Sequence, residues 1–359
     1  MIANMENVRS IPECATTTPS VSVLIPVYNA GDHLGRCLGS LAAQTFRAFE
    51  AIALDDGSKD DSLALLRAFA SDHPFLRVET QSNAGAPTTR NRLMKMARGT
   101  FVMFLDDDDT FEPDCIERFV AEAERTGADI VCGGYRRVTT DGRVLSLVHM
   151  EDAQWSPLVT IMAWTKIYRR DFLIKNDVVF LDYGIGEDIG FSFKAYRAAG
   201  SMTMFRYAGY NWTFNEKSVS NTAHRAFRPN LDPIHLLDNL FAISGAEGLY
   251  RAFYVRHVVW HLFYSGRGSA PEEFVRQSER LFAWLSAHGI PASYPYSRHF
   301  WKAGDLRAFL VVRFYLALRR LGLVGAFARI YCSGGGSPAN LNDNDSKHAA
   351  STGGKPRSS

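Results

Sequence analysis

The chain of 359 residues carries 40 basic and 38 acidic residues, with 46% apolar and 12% aromatic content. That length and apolar content bury a sizeable core, which excludes global disorder and a single small module. The net charge of +2 hides an asymmetry: residues 1–225 hold 24 basic and 29 acidic side chains, whereas residues 226–359 hold 16 and 9, so an acidic part precedes a basic one.

The first twenty residues contain no apolar run able to serve as a signal-peptide core, which predicts a cytoplasmic protein with a flexible tail over 1–19. No stretch reaches eighteen uncharged apolar residues, and the nearest, 306–331, is interrupted by Arg313, Arg319, Arg320 and Arg329. Cys14, Cys37, Cys115, Cys132 and Cys332 are odd in number and widely spaced without a CxxC pair. That pattern argues against both a disulfide framework and a zinc site.

From Val21 to Ile130, β-rich runs alternate with helical stretches: VSVLIPVYN, HLGRCLGSLAAQ, FEAIALDDGS, SLALLRAFASDH, LRVETQ, TTRNRLMKMARG and TFVMFLDDDD. This alternation predicts an α/β fold, a parallel sheet flanked by helices, in which ligands sit at the carboxyl ends of the strands. Asn29 follows the first strand, Asp55 and Asp56 the second, and Asp106 to Asp109 the fourth. Residues 131–225 mix strands and short helices, and together with the preceding units they define one domain over 20–225. Residues 226–332 read as helices rich in Arg and aromatics, and 333–359, dominated by Gly, Ser, Asn and Asp, as a disordered tail.

The sharpest feature is FVMFLDDDDTFEPD, an apolar strand ending in four consecutive aspartates. Adjacent carboxylates repel one another, and a divalent cation is the economical remedy. Hard oxygen donors favour Mg²⁺ or Mn²⁺, held by one or two carboxylates plus substrate phosphates. If the segment is extended, side chains alternate, so Asp106 and Asp108 share one face and Asp107 and Asp109 the other. The plain structural alternative is a solvated acidic turn. The same residues also match hhhhDxDxT, with Asp106 as nucleophile, Asp108 as acid/base and Thr110 closing the motif, and so resemble the haloacid-dehalogenase-type phosphatases. That reading leaves Asn29 and Asp56 without a role.

With the aspartate run, six signposts occur in order: VSVLIPVYNAGDHLGRCLGSLAAQTF, AIALDDGSKDDSL, QSNAGAPTTRN, FLDDDD, AWTKIYRRDFL and GEDIGF. Together they resemble the family 2 glycosyltransferases of the GT-A fold, the group that includes bacterial polysaccharide and lipopolysaccharide enzymes, with a C-terminal helical extension. The resemblance implies a nucleotide pocket lined by Pro26, Tyr28 and Asn29, with Tyr28 against the base. It implies that Asp56 accepts from the uracil beside Asp55, that Asn83 and Arg90 face the nucleotide, and that Asp106 touches the ribose, with Asp107 alongside. Asp108, with Asp106, would hold Mn²⁺ or Mg²⁺ at the diphosphate. In GEDIGF it makes Asp188 the base that deprotonates the acceptor, with Glu187 beside it; a plain helix-start role for the two is compatible with this.

The resemblance thus implies an inverting hexosyl- or N-acetylhexosaminyltransferase that takes a nucleotide diphosphate sugar, above all a UDP-sugar, to a glycan or lipid-linked acceptor. A catalytically inactive nucleotide-sugar-binding protein remains a further alternative. Lys217, His224 and Arg225 lie in a polar segment suited to clamping a diphosphate, and Trp164 and Lys166 are expected on the acceptor side. After residue 226, Arg interleaved with Phe, Tyr and Trp suits either an anionic membrane surface, at the inner face of the cytoplasmic membrane, or a helical cap with snorkelling arginines. On a 100° wheel Arg319 falls away from its fellow arginines. No nucleic-acid motif accompanies the basic excess.

Overall fold

The computed structural model describes residues 18–183, 186–214, 226–228, 232–294, 300, 303 and 305–333. Of the expected tails over 1–19 and 333–359, residues 1–17 and 334–359 lie outside the described residues, as do the expected clamp residues Lys217, His224 and Arg225, whereas Ser333 ends a helix. The first half forms the expected units: β1 (Val21–Val27), α1 (Leu34–Ala42), β2 (Phe49–Asp55), α2 (Ser62–Asp72), β3 (Leu76–Thr80), α3 (Ala86–Met96) and β4 (Phe101–Phe104). In α1, Leu34, Cys37, Leu38 and Leu41 recur at helical spacing and are all buried, so this face packs on the sheet. β2 is buried along its whole length, as a parallel strand covered on both faces must be.

The second part supplies β5 (Thr110–Phe111), α4 (Cys115–Thr126), β6 (Ile130–Val138), β7 (Val144–Val148), α5 (Ser156–Val159), β8 (Lys166–Arg169), α6 (Arg170–Lys175), α7 (Glu187–Ala198) and β9 (Met202–Thr213). Among the described residues the strands form one sheet in the order β3-β2-β1-β4-β8-β6-β9-β5, with β7 paired to β6. β3, β2, β1 and β4 are mutually parallel, whereas β8 runs antiparallel to both β4 and β6. The sheet is therefore parallel over its first half and mixed beyond it. The ends of β2, β1 and β4 lie side by side, next to the place where the direction changes.

Residues beyond 232 form α8 (Ile234–Ser244), α9 (Gly248–Gly266), α10 (Pro271–Ala287), α11 (Leu306–Arg320) and α12 (Val324–Ser333). They pack directly on the sheet-bearing part. Phe193 of α7 meets Tyr250 and Phe253 of α9 at ring-centroid distances of 4.8 and 5.1 Å. At a second point the Trp155 indole donates to buried Asp305 at 2.7 Å, and Arg256 of α9 pairs with the same carboxylate at 3.1 Å. Buried charges persist where they are paired, so this link fixes the annex against α5. Among the described residues Cys37, Cys115, Cys132 and Cys332 are free thiols, the first three buried. No helix among the described residues is long and apolar enough to cross a membrane.

Candidate active site

Three loops converge at the ends of β1, β2 and β4. After β1, Asn29 takes a left-handed backbone (φ 54°), which Asn tolerates better than most residues. It is locked there because its N–H donates to Ser58 Oγ at 2.9 Å and its Oδ1 accepts from the Lys59 N–H at 2.8 Å. Tyr28 is left exposed at the rim, while half-buried Pro26 sits within β1 opposite Leu54.

After β2, both aspartates are buried. Asp55 accepts from the Ser58 N–H and the Thr80 hydroxyl. Asp56 accepts from the Ala84 N–H at 2.8 Å, the Gly85 N–H at 2.9 Å and Gln81 Nε2 at 2.7 Å, so it holds the loop that carries exposed Asn83. Gly57 between the two loops has φ +73°, and a Cβ there would lie 2.9 Å from the Asn83 nitrogen.

After β4 the four aspartates do not continue the strand. The chain turns at once, with the Asp109 N–H donating to the Asp106 carbonyl, and strict alternation of faces gives way to four separate environments. Asp106 accepts from Arg90. Asp107 accepts from the Tyr28 N–H at 3.2 Å and lies 3.5 Å from His33, which links the turn to the β1 loop. Asp108 is pushed up to about 6, by burial first and then by the charges of Asp106 and Asp107. Asp109 points inward, where it bonds the Tyr210 hydroxyl at 2.6 Å and the Thr213 N–H at 2.7 Å.

No local signal marks the fourth aspartate as the anchor of β9, because its partners lie about a hundred residues away. Asp109→Ala therefore lowers the melting temperature, each orphaned buried donor costing about 1–3 kcal/mol. Asp108→Ala leaves it unchanged or higher. Thermal denaturation of the two variants checks this contrast.

Opposite the turn, α7 begins at Gly186 (φ +86°) and carries Glu187 and Asp188 in its first turn. Arg90 joins the two acidic groups. Its guanidinium donates to Asp106 Oδ1 at 2.8 Å and Glu187 Oε1 at 3.1 Å, and lies 3.7 Å from Asp188 Oδ1. Arg90, expected to face the nucleotide, is thus buried among three carboxylates, drawn there by their combined charge. Its neighbour Asn91 bonds both the N–H and the carbonyl of Phe180, fixing the segment that leads into α7.

Among the described residues, Asp188 Oδ1 is buried with no hydrogen-bond partner. Burial pushes this carboxyl up to about 6; Arg90 opposes that shift, and Glu187 adds to it. That oxygen faces the Arg90 guanidinium, while the side chain as a whole is half-buried, and a carboxyl raised in this way is suited to take a proton.

Lys166 does not occupy the acceptor side as expected. It is buried, its Nζ donating to the carbonyls of Thr160 at 2.8 Å and Met162 at 2.5 Å, and removal from water lowers it to about 8. An ammonium carries three donors, and the folded-back carbonyls of 160–164 satisfy them more fully than any residue in the cleft would. Trp164 is also buried, stacked on Tyr210 with ring centroids 4.5 Å apart. The pair supports the aspartate turn from behind.

The donor set fits a divalent metal. Asp106 and Asp108 offer hard oxygens on one turn, and a cation would relieve the repulsion that Asp106 and Asp107 add to the burial of Asp108. Among the described residues there is no group of three or more His, Cys, Asp or Glu arranged to enclose a metal. A two-carboxylate site is one that substrate oxygens complete.

The glycosyl transferase family 2 profile matches residues 22–198, the span that builds all three loops and α7. Over 238 residues the chain is 32% identical to the uncharacterized glycosyltransferase YibD of Escherichia coli K12, covering 60% of this chain and 67% of that relative. The chain belongs to glycosyl transferase family 2. This glycosyltransferase is also 28% identical over 226 residues to the succinoglycan biosynthesis protein ExoO of Rhizobium meliloti 1021, covering 58% of this chain and 65% of ExoO. It thus spans about two thirds of the length of these relatives. Its fold is that of S. aureus TarS 1-349 solved with UDP-GlcNAc, with a TM-score of 0.53 at 22% identity over 84% of this chain and 92% of that one.

Family membership removes the phosphatase reading of this transferase, and the geometry agrees. Asp106 is ion-paired with Arg90, and Thr110 lies in β5 facing Asn211 of β9.

Proposed function

We propose that the protein is an inverting, metal-dependent glycosyltransferase that moves a hexosyl or N-acetylhexosaminyl group from a nucleotide diphosphate sugar, a UDP-sugar in the first instance, to a hydroxyl of a glycan or lipid-linked acceptor. The observation that carries this reading is the half-buried Glu187–Asp188 pair at the start of α7, joined through Arg90 to the aspartate turn. The UDP-GlcNAc complex of TarS supports the choice of donor, and the succinoglycan role named for ExoO supports surface polysaccharide as the product class. We take 20–225 as the transferase domain, 226–332 as its helical annex, and the inner face of the cytoplasmic membrane as the site of action.

In this reading Tyr28 stacks on the base, Pro26 and Asn29 shape the wall, and Asp55, Asp56 and Asn83 form the nucleoside end, Asp56 by holding the 81–85 loop. Asp106 and Asp107 border the ribose, and Asp106 and Asp108 would hold Mn²⁺ or Mg²⁺. When bound, the metal neutralises the departing diphosphate, a Lewis-acid contribution of several kcal/mol.

Asp188, charged at neutral pH, accepts the acceptor's hydroxyl proton as that oxygen bonds the anomeric carbon from the face opposite the diphosphate. The carbon–phosphate-oxygen bond breaks, and the configuration inverts. Glu187 raises the proton affinity of Asp188 by like charge, and Arg90 holds both carboxylates in place. Trp164 and Lys166, both buried, serve as support behind the aspartate turn and not as acceptor contacts. We assign Lys217, His224 and Arg225 to the diphosphate as its cationic partners.

Incubation with Mn²⁺ and a panel of nucleotide sugars tests the proposal. The expected result is release of nucleoside diphosphate that survives Thr110→Ala. Tight UDP binding without turnover of any donor would favour an inactive binding protein, and hydrolysis of a phosphomonoester lost in Asp106→Asn would overturn the transferase reading.

A further inference from the structure

Between Leu306 and Ser333 the sequence holds five arginines and no acidic residue. In α11 the arginines do not all serve one purpose. Arg319 faces inward, donating to Ser278 Oγ at 2.9 Å and lying 3.9 Å over the Phe282 ring. With Ala308, Val312, Tyr315 and Leu316 it forms the face packed on the other helices.

The opposite face is apolar and, among the described residues, largely exposed, with Phe314 meeting Phe327 of α12 edge-on at 6.0 Å. Leu306 is 39% exposed, Leu310 57%, Phe314 52% and Leu321 70%, and Ile330 of α12 reaches 78%. Placed at 100° per residue, Leu306, Leu310, Phe314, Ala317 and Leu321 fall within an arc of about 80°, and the line they make runs for about 22 Å along the helix. Exposed Arg313 and Arg320 border this stripe on one side, and exposed Arg307 on the other. A cavity of about 140 Å³ lies at the Arg313 edge, lined by both Arg313 and Arg320 together with Ser293, Tyr294, Leu316 and Ala317.

We propose that the outer face of α11 docks on an anionic phospholipid surface, with Leu306, Leu310, Phe314 and Leu321 in the headgroup–acyl boundary and Arg307, Arg313 and Arg320 on lipid phosphates, the Arg313–Arg320 cavity taking one of them. A straight apolar line edged by cations on both sides matches such a surface. A second copy of the chain fits less well. A two-fold contact would bring the same arginines together with no carboxylate on this stretch to offset them. The inference goes beyond the transfer reaction, and it is measured separately, because vesicle binding needs neither donor nor acceptor.

Vesicle co-sedimentation of the full chain tests it, with phosphatidylcholine alone compared with phosphatidylcholine containing 30% phosphatidylglycerol. Binding is expected to the anionic vesicles, at least tenfold tighter than to the neutral ones and weakened by salt. Arg313→Gln with Arg320→Gln lowers affinity about fivefold per arginine, hence about 25-fold for the pair. Leu310→Glu with Phe314→Glu abolishes it, and Arg125→Gln with Arg143→Gln, two exposed sites in the sheet-bearing part, leaves it within twofold. Equal binding to both vesicle types, or anionic binding insensitive to the Arg313/Arg320 pair, overturns the proposal. So does a wild-type dimer that fails to bind vesicles and becomes monomeric with the Leu310/Phe314 substitutions. Should those last substitutions lower the melting temperature, the arginine pair alone decides.

Discussion

Asp188→Asn is expected to lower turnover by about a hundredfold to ten-thousandfold, the range for loss of a positioned general base, while donor affinity stays within about threefold. Asparagine keeps the shape and removes the basicity, so the ground-state cleft is preserved. In the wild type, kcat/KM falls tenfold per pH unit below about 6, where Asp188 takes up its proton in the free enzyme.

The same carboxyl gives a stability signature of opposite sense. Its folded value of about 6 lies above the ordinary 3.8, so its contribution to stability is present below pH 3.8 and is lost as pH rises through 6. Asp188→Asn removes that loss, and its melting temperature at pH 7.5 exceeds that of the wild type. A dead variant that melts higher is the mark of a group kept charged and buried for chemistry. Wild-type turnover in Asp188→Asn would remove Asp188 from the mechanism.

Asp108→Asn is expected to uncouple the protein from divalent metal. With UDP present, Mn²⁺ at about a hundred times its dissociation constant stabilises the wild type by about 2.7 kcal/mol, read as a rise in melting temperature. The variant shows no such rise, and its turnover falls a hundredfold or more, about what losing several kcal/mol of charge stabilisation implies. Binding of Mn²⁺ by the variant as tightly as by the wild type, followed by calorimetry, would place the metal elsewhere. Asp109 supplies the internal control: it stands one residue further along, yet it bonds β9 rather than the cleft.

The first half of the fold was legible because its signals are local. Apolar runs of strand length and helices with buried faces at 3.6-residue spacing specify β1 to β4 and α1 to α3, and strand-end polarity marks the rim where Asn29, Asp55, Asp56 and the aspartate turn meet. The mixed half of the sheet was not legible, since nothing in the β8 sequence states that it enters between β4 and β6, antiparallel to both. The motif order also announced Arg90 and the Glu187–Asp188 pair, but not that they touch.

Sequence alone therefore determined which residue types stand at which strand ends, the family they spell, and that residues 226–332 are cationic and aromatic. Tertiary structure alone decided what each charge faces. Arg90 reaches Glu187 across 97 positions of sequence, Asp109 reaches Tyr210 across 101, Lys166 turns inward onto carbonyls, and Arg319 turns to Ser278, leaving the outer face of α11 to Leu310 and Phe314. The reason is physical. Periodicity fixes a side chain's direction relative to its own element, whereas its partner, burial and proton affinity depend on which distant elements the packed core brings within a few ångströms.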